Sequence, residues 1–359
     1  MGIKILQIIN RPSITGGMER YALDLSRSLK KRGHDVFMAV RGGTDLATAA
    51  DEAGIKRIPI TRGGAVQPYN VFSIIRALLA EKFDILHAHT GNDYWPPLLA
   101  KWFTLNKGAR VFVTRHILSP PRGFSSRFYF QNVDTICVSD SVLQTMKGFS
   151  APGAKLHRIY PGIDLERFEP AGYEPAVRRS FKIQAGDFVI GTMHKWFSKN
   201  AAIIERLLGD FPEIKIMIAG ELKPLEIERV KSFKNAGRIF LTGIIKNMPE
   251  FYRSCDVFLF PSFDEAFGMV VVEAMLMGLP VLTAASGGAS EIFSEGECGY
   301  KIDADRPDLY SKALEKIYKD PDLRRKLSEN ARKNGREFGI EKMAANIETL
   351  YFNALGRDR

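Results

Sequence analysis

At 359 residues, with 45% hydrophobic side chains and only 18 prolines, the chain is long enough for two ordinary domains and too apolar to be disordered or low-complexity. The net charge of +10 is uneven: residues 1–170 carry 23 Lys/Arg against 14 Asp/Glu, and the rest 28 against 27. An anionic partner is therefore expected on the first half. Nucleic acid is excluded for want of a recognition helix, an RNA-binding aromatic set or a zinc finger, which leaves an anionic membrane surface or a phosphorylated glycan.

No apolar run reaches the roughly 18 residues of a membrane-spanning helix. The start, MGIKILQIIN, is too short for a secretory apolar core, and Leu6 spoils a myristoylation signal. Cys137, Cys255 and Cys298 form neither a disulfide framework nor a zinc spacing, which points to a reducing cytoplasm.

Residues 4–9 predict the first strand. Gly16-Gly17 then leads into a helix with Tyr21, Ala22, Leu25 and Leu29 at helical spacing, ended by Gly33. Further strands are predicted at 36–40, 56–60, 85–89 and 111–114, with helices between them, and such alternation makes a parallel Rossmann-type sheet. His87 and His89 end one strand and His116 another, where open α/β sheets meet ligand. Residues 120–131, PPRGFSSRFYFQ, are either a loop and short helix pinned by aromatics or a basic-aromatic surface at a membrane interface. A strand at 135–138 precedes Ser139, a helix cap. Pro170, Gly172 and Pro175 mark a linker. Strands resume at 188–191, 214–220 and 239–243, and residues 247–250 form a capping pattern. From 306 onward the chain reads as helical.

The chemistry concentrates at 256–291, DVFLFPSFDEAFGMVVVEAMLMGLPVLTAASGGASE. A buried strand, 257–260, stops at Pro261. Gly268 opens a ten-residue apolar helix that Gly278 and Pro280 close, and 281–284 is the next strand. Glu265 lies in the loop beyond the strand's carboxyl end. Glu273 lies some five residues into the helix, roughly 7.5 Å further on. Between them the free N–H groups and the dipole of the helix start make an anion site. Carboxylate, anion cradle, carboxylate would match a hydroxylated ring, a diphosphate and a ribose. The bland alternative is two solvated glutamates flanking a core helix.

Those residues resemble a known family. P-S-x-x-E-A-F-G-x-x-x-x-E-A-M-x-x-G-x-P-V, followed by Ser286-Gly287-Gly288 and Glu291, looks like the donor site of retaining GT-B glycosyltransferases of family 4. The resemblance implies two Rossmann-like domains facing across a cleft. They would be 1–170, on the acceptor side, and 171–339, binding the nucleotide sugar, with a last helix near 340–359 crossing back. It implies a catalytic set of Glu265, Lys199 and His116. Donor contacts would come from Gly17, His194, Lys195, Phe267, Gly268, Met269, Val270 and Glu273. Relatives place an arginine where this chain has His194, so either His194 or Lys195 would replace it on the diphosphate. The implied reaction moves a sugar from a UDP- or GDP-sugar, with retention, to a glycan or lipid-linked acceptor in cell-envelope polysaccharide or lipopolysaccharide synthesis. It would need no cofactor and no metal, and would take place in the cytoplasm or at the inner face of the membrane. A sugar-nucleotide epimerase, a glucan phosphorylase relative carrying pyridoxal phosphate on a lysine, and a non-catalytic carbohydrate-binding protein are the competing readings.

Overall fold

Runs of β-branched and apolar residues become strands in both halves of the chain, and the amphipathic stretches between them become crossover helices. The computed structural model describes residues 2–13, 16–62, 67–91, 93–104, 108–122 and 124–357; the side chains at 124 and 196–200 fall outside that description. The chain divides into two units, Met1–Ile163 with Gly339–Arg359, and Asp164–Phe338.

The first unit is a seven-stranded sheet: β1 (Lys4–Ile8), β2 (Asp35–Arg41), β3 (Lys56–Ile60), β4 (Ile85–Ala88), β5 (Arg110–Arg115), β6 (Asp134–Cys137) and β7 (Lys155–Arg158). Every pair is parallel, in the order β3-β2-β1-β4-β5-β6-β7. Parallel neighbours need crossovers. These are α1 (Gly17–Lys31), α2 (Asp45–Glu52), α3 (Pro68–Ala80), α4 (Trp95–Phe103), α5 (Phe124–Gln131) and α6 (Asp140–Phe149). Ser139 caps α6 as its sequence predicts, its hydroxyl accepting the Val142 N–H at 3.0 Å. With both faces covered, β1 and β4 read as near-continuous apolar runs.

In the second unit α7 (Ala176–Ser180) leads to β8 (Phe188–Met193), α8 (Phe197–Asp210), β9 (Ile214–Ala219), α9 (Pro224–Lys231), β10 (Ile239–Gly243) and α10 (Met248–Arg253). β11 (Val257–Phe260), α11 (Met269–Leu276), β12 (Val281–Ala284), β13 (Gly299–Ile302), α12 (Pro307–Lys319) and α13 (Pro321–Gly335) complete it. Its parallel sheet has the order β10-β9-β8-β11-β12-β13. The capping pattern at 247–250 takes another form, in which the Asn247 amide donates to the Glu250 carboxylate at 2.7 Å and no side chain caps the backbone. The ten-residue helix predicted after Gly268 has eight helical residues. It is apolar except at Glu273 and buries Val271, Val272, Ala274, Met275 and Leu276; α13 approaches so closely that a Cβ on Gly335 would lie 3.1 Å from the Leu276 N.

The chain then returns. α14 (Ile340–Leu355) belongs to the first unit, burying Met343, Ile347, Tyr351 and Phe352 against α1 and the first sheet. Each such burial stabilises by about 1.5–3 kcal/mol. Arg32 and His34 hold its Glu348 at 2.7 and 2.8 Å. Periodicity predicts neither β7 nor β13, which close their sheets with the half-polar sequences KLHR and GYKI.

Candidate active site

In the second unit the site residues collect where the strands end. β11 runs out at Pro261, and the chain turns through Glu265 to Gly268, which sits at φ +94° and starts α11. That left-handed conformation suits glycine. A second loop, 286–288, packs on the first: the Gly288 N–H donates to the Glu265 carbonyl at 2.8 Å. A Cβ on Gly288 would fall 2.0 Å from the Ala266 oxygen. Only a glycine lets the two loops touch.

Glu265 is half-buried, and burial pushes its carboxyl above the usual range. The Lys195 ammonium and the Ala266 N–H oppose that shift, while Asp264 adds to it. Lys195 is exposed, in the turn just past the end of β8. His194 takes a different course. Its Nδ1 lies 3.3 Å from the Ala219 carbonyl, and its ring fills the space beside Gly220, where a Cβ would meet it at 1.8 Å. Of the two candidates to replace the arginine, the Lys195 charge acts on Glu265 and His194 packs on the end of β9. Lys199 falls in the first turn of α8, and its side chain lies outside the described residues.

Met269 and Val270 open α11, half-buried, with N–H groups that the helix itself does not bond. The Phe267 side chain turns inward, 3% exposed, against the Phe338 ring at 5.6 Å. Glu273 is the fifth residue of α11. Its Oε2 accepts the Tyr252 hydroxyl at 2.9 Å. Tyr252 is fully buried among Phe251, Phe258 and Phe168, and burial followed by the Glu273 charge keeps its phenol protonated well above the usual range. Nothing in the residue spacing singles out Tyr252.

In the first unit, Gly17 begins α1 and His116 follows β5. The His116 Nε2 is buried with no hydrogen-bond partner among the described residues, and Tyr21 presents its ring edge at 4.7 Å. Burial, helped by the Arg115 cation, pushes the imidazole down to about 3, so it is neutral near pH 7. His87 is a core residue, bonded to the Tyr351 hydroxyl at 2.5 Å and the Thr114 hydroxyl at 2.7 Å. His89 is buried too, its Nε2 on Gln7 at 2.7 Å. A further residue, Asp93, lies just past β4. It accepts the Asn10 N–H at 2.9 Å and the Thr90 hydroxyl at 2.5 Å, and burial raises it to about 7. The polar cluster HTGND behind a strand was the available signal.

Two parallel sheets, each wound with crossover helices, are the GT-B fold of glycosyltransferases. Residues 15–167 match the model of Glycosyltransferase Family 4, and residues 183–334 that of Glycosyl transferases group 1. The chain belongs to this glycosyltransferase family. It is 25% identical to a D-inositol 3-phosphate glycosyltransferase of Kribbella flavida, over 94% of this chain and 91% of the relative. A glycosyltransferase of Rickettsia africae superposes with a TM-score of 0.87 at 20% identity, covering 99% of this chain and all of the other. Anabaena HepE, solved in complex with UDP and glucose, gives 0.77 at 21% identity, covering 97% and 99%.

Proposed function

We propose that the chain transfers a sugar from a UDP- or GDP-sugar, with retention at the anomeric carbon, to a glycan or lipid-linked acceptor of cell-envelope polysaccharide or lipopolysaccharide. The observation that carries this is the sequence Glu265, helix start, Glu273 on one loop-helix unit, with the Lys195 charge acting on Glu265. The HepE complex with UDP and glucose supports a donor of this chemistry. Glu265 holds the sugar hydroxyls, Glu273 the ribose, and the N–H groups of Met269 and Val270 the diphosphate. Lys195 and Lys199 neutralise charge as the diphosphate departs. The acceptor hydroxyl gives its proton to the leaving phosphate on the same face, so no protein base is required. His116 and Gly17 serve the sugar and acceptor from the first unit. No metal or cofactor takes part, and transfer occurs in the cytoplasm, at the inner face of the membrane.

A panel of UDP- and GDP-sugars, assayed for nucleotide release with and without envelope glycan lipids, tests the proposal. One donor should release nucleotide only when acceptor is present, and Glu265→Gln should abolish most of it. Release that is acceptor-independent and unaffected by Glu265→Gln would point to an epimerase-like reaction and overturn the reading.

A further inference from the structure

At the carboxyl edge of the second sheet the strand order sets the loops after β8, β11, β12 and β13 side by side. Lys195 follows β8, Glu265 lies in the loop after β11, Ser286 follows β12, and Asp303 comes directly after β13. The Lys195 turn therefore stands on one side of the Glu265 loop, and the β12 and β13 loops on the other. On that other side is a cavity of about 430 Å³, lined by Phe263, Ala285, Ser286, Asp303, Ala304 and Asp305. Its size falls in the range of small-ligand sites. One wall is the Glu265 loop itself. The Ser286 hydroxyl donates to the Phe263 carbonyl at 3.4 Å, and a Cβ on Gly287 would lie 3.0 Å from that oxygen and 2.9 Å from the Glu265 oxygen. Among the described residues, none assigned above to the donor lines the cavity.

The lining sets an aromatic ring beside two carboxylates. Phe263 is 44% exposed, which leaves part of its ring open. Asp303 and Asp305 are both exposed, and an Asp303 oxygen accepts the Asp305 N–H at 3.1 Å, which fixes the turn that carries them. The neighbouring cations are occupied elsewhere. The Asp303 charge reaches Arg306, but that guanidinium is forked onto Asp308, with both hydrogen bonds at 2.9 Å. Lys301 of β13 lies over the Phe293 ring at 5.4 Å. Among the described residues the lining holds carboxylates and no lysine or arginine.

Ionised carboxylates accept hydrogen bonds and donate none, so the cavity suits a ligand rich in hydroxyls and repels an anion. An aromatic face carries negative charge and attracts the C–H hydrogens on the flat side of a pyranose. Both preferences meet in an uncharged sugar. β13 lies two strand spacings, roughly 10 Å, beyond β11, so a ring held here is a different one from the ring assigned to Glu265. We propose that the cavity is a subsite for an uncharged sugar residue of the acceptor glycan, its ring against Phe263 and its hydroxyls donating to Asp303 and Asp305. This rests on the transferase reading above and narrows the acceptor to a glycan with neutral sugars near the point of transfer. A phosphate or a uronate at that place meets Asp303 and Asp305 as a like charge.

An array of short oligosaccharides of glucose, galactose, mannose and N-acetylglucosamine, with phosphorylated and uronate-bearing counterparts, tests it on the full chain with UDP or GDP present. A neutral glycan should bind, and its anionic counterpart about tenfold or more weakly. Phe263→Ala should weaken that binding about three- to tenfold, and Asp303→Asn with Asp305→Asn about tenfold. Calorimetric binding of UDP and GDP, which reads the donor site by itself, should be unchanged in both variants. Should Phe263→Ala disturb it through misfolding, the isosteric asparagine pair still decides. A chain that binds nucleotide but no neutral glycan, or whose variants bind glycans undiminished, overturns the subsite and leaves the transferase reading standing. So do variants that weaken a UDP-sugar more than UDP while glycan binding is intact, which would give the cavity to the donor. Failure of the wild type to bind any nucleotide would overturn the transferase reading and the subsite with it.

Discussion

Tyr252→Phe isolates the orientation of Glu273 from its charge. The ring stays, packed between Phe251 and Phe258 at 5.7 and 5.5 Å, and only the hydroxyl that donates to Glu273 Oε2 is lost. A hydrogen bond to a charged group is worth about 1.5–3 kcal/mol. Glu273 is half-exposed, so water recovers part of that, and about 1.4 kcal/mol remains, or tenfold in affinity. Calorimetric titration should compare a nucleoside diphosphate with its 2′,3′-dideoxy form. The ribose form should bind Tyr252→Phe about tenfold more weakly. The dideoxy form offers Glu273 no hydroxyl and should bind wild type and variant alike. Equal losses for both ligands would mean that Tyr252 only packs, and no loss for either would refute the ribose assignment of Glu273 together with its support.

Lys195 favours the ionised form of Glu265; Lys195→Met should therefore move the acidic limb of the kcat/KM profile to higher pH, and an unmoved limb would contradict the pairing. Gly288→Ala places a carbon 2.0 Å from the Ala266 oxygen and should lower stability by about 1–3 kcal/mol in denaturant titration, while Gly237→Ala, open on all sides, should not. Asp93 titrates at about 7 in the fold against 3.8 for a free carboxyl, so the folded chain holds its proton more tightly. That contribution is fully present below 3.8 and lost as pH rises through about 7. Between pH 5 and pH 8 the Tm of Asp93→Asn should consequently change in a more favourable direction than that of wild type, and parallel curves would sink the assignment.

The sheets were legible because parallel strands covered on both faces are mostly apolar, as VFLF is throughout and KILQI is at Ile5, Leu6 and Ile8. β7 and β13 escaped because an edge strand has one open side and keeps lysine, histidine and tyrosine. Glu265 and Glu273 were readable from one contiguous strand-loop-helix unit. Tyr252 was not, because it reaches Glu273 from α10 across a tertiary contact that leaves no period in the sequence. The course of His194 turned on Gly220, a strand-end glycine whose missing Cβ makes room for the ring.

Product stereochemistry tests the central claim most directly. Proton NMR on the glycoside formed from the donor and acceptor that the nucleotide-release panel identifies reads the configuration at the transferred anomeric carbon. A donor whose sugar is α-linked to the diphosphate should give an α-linked product, since the hydroxyl enters on the face the phosphate leaves. A β-linked product would contradict the account, because inversion demands a base on the opposite face, and the site proposed here assigns that work to no residue.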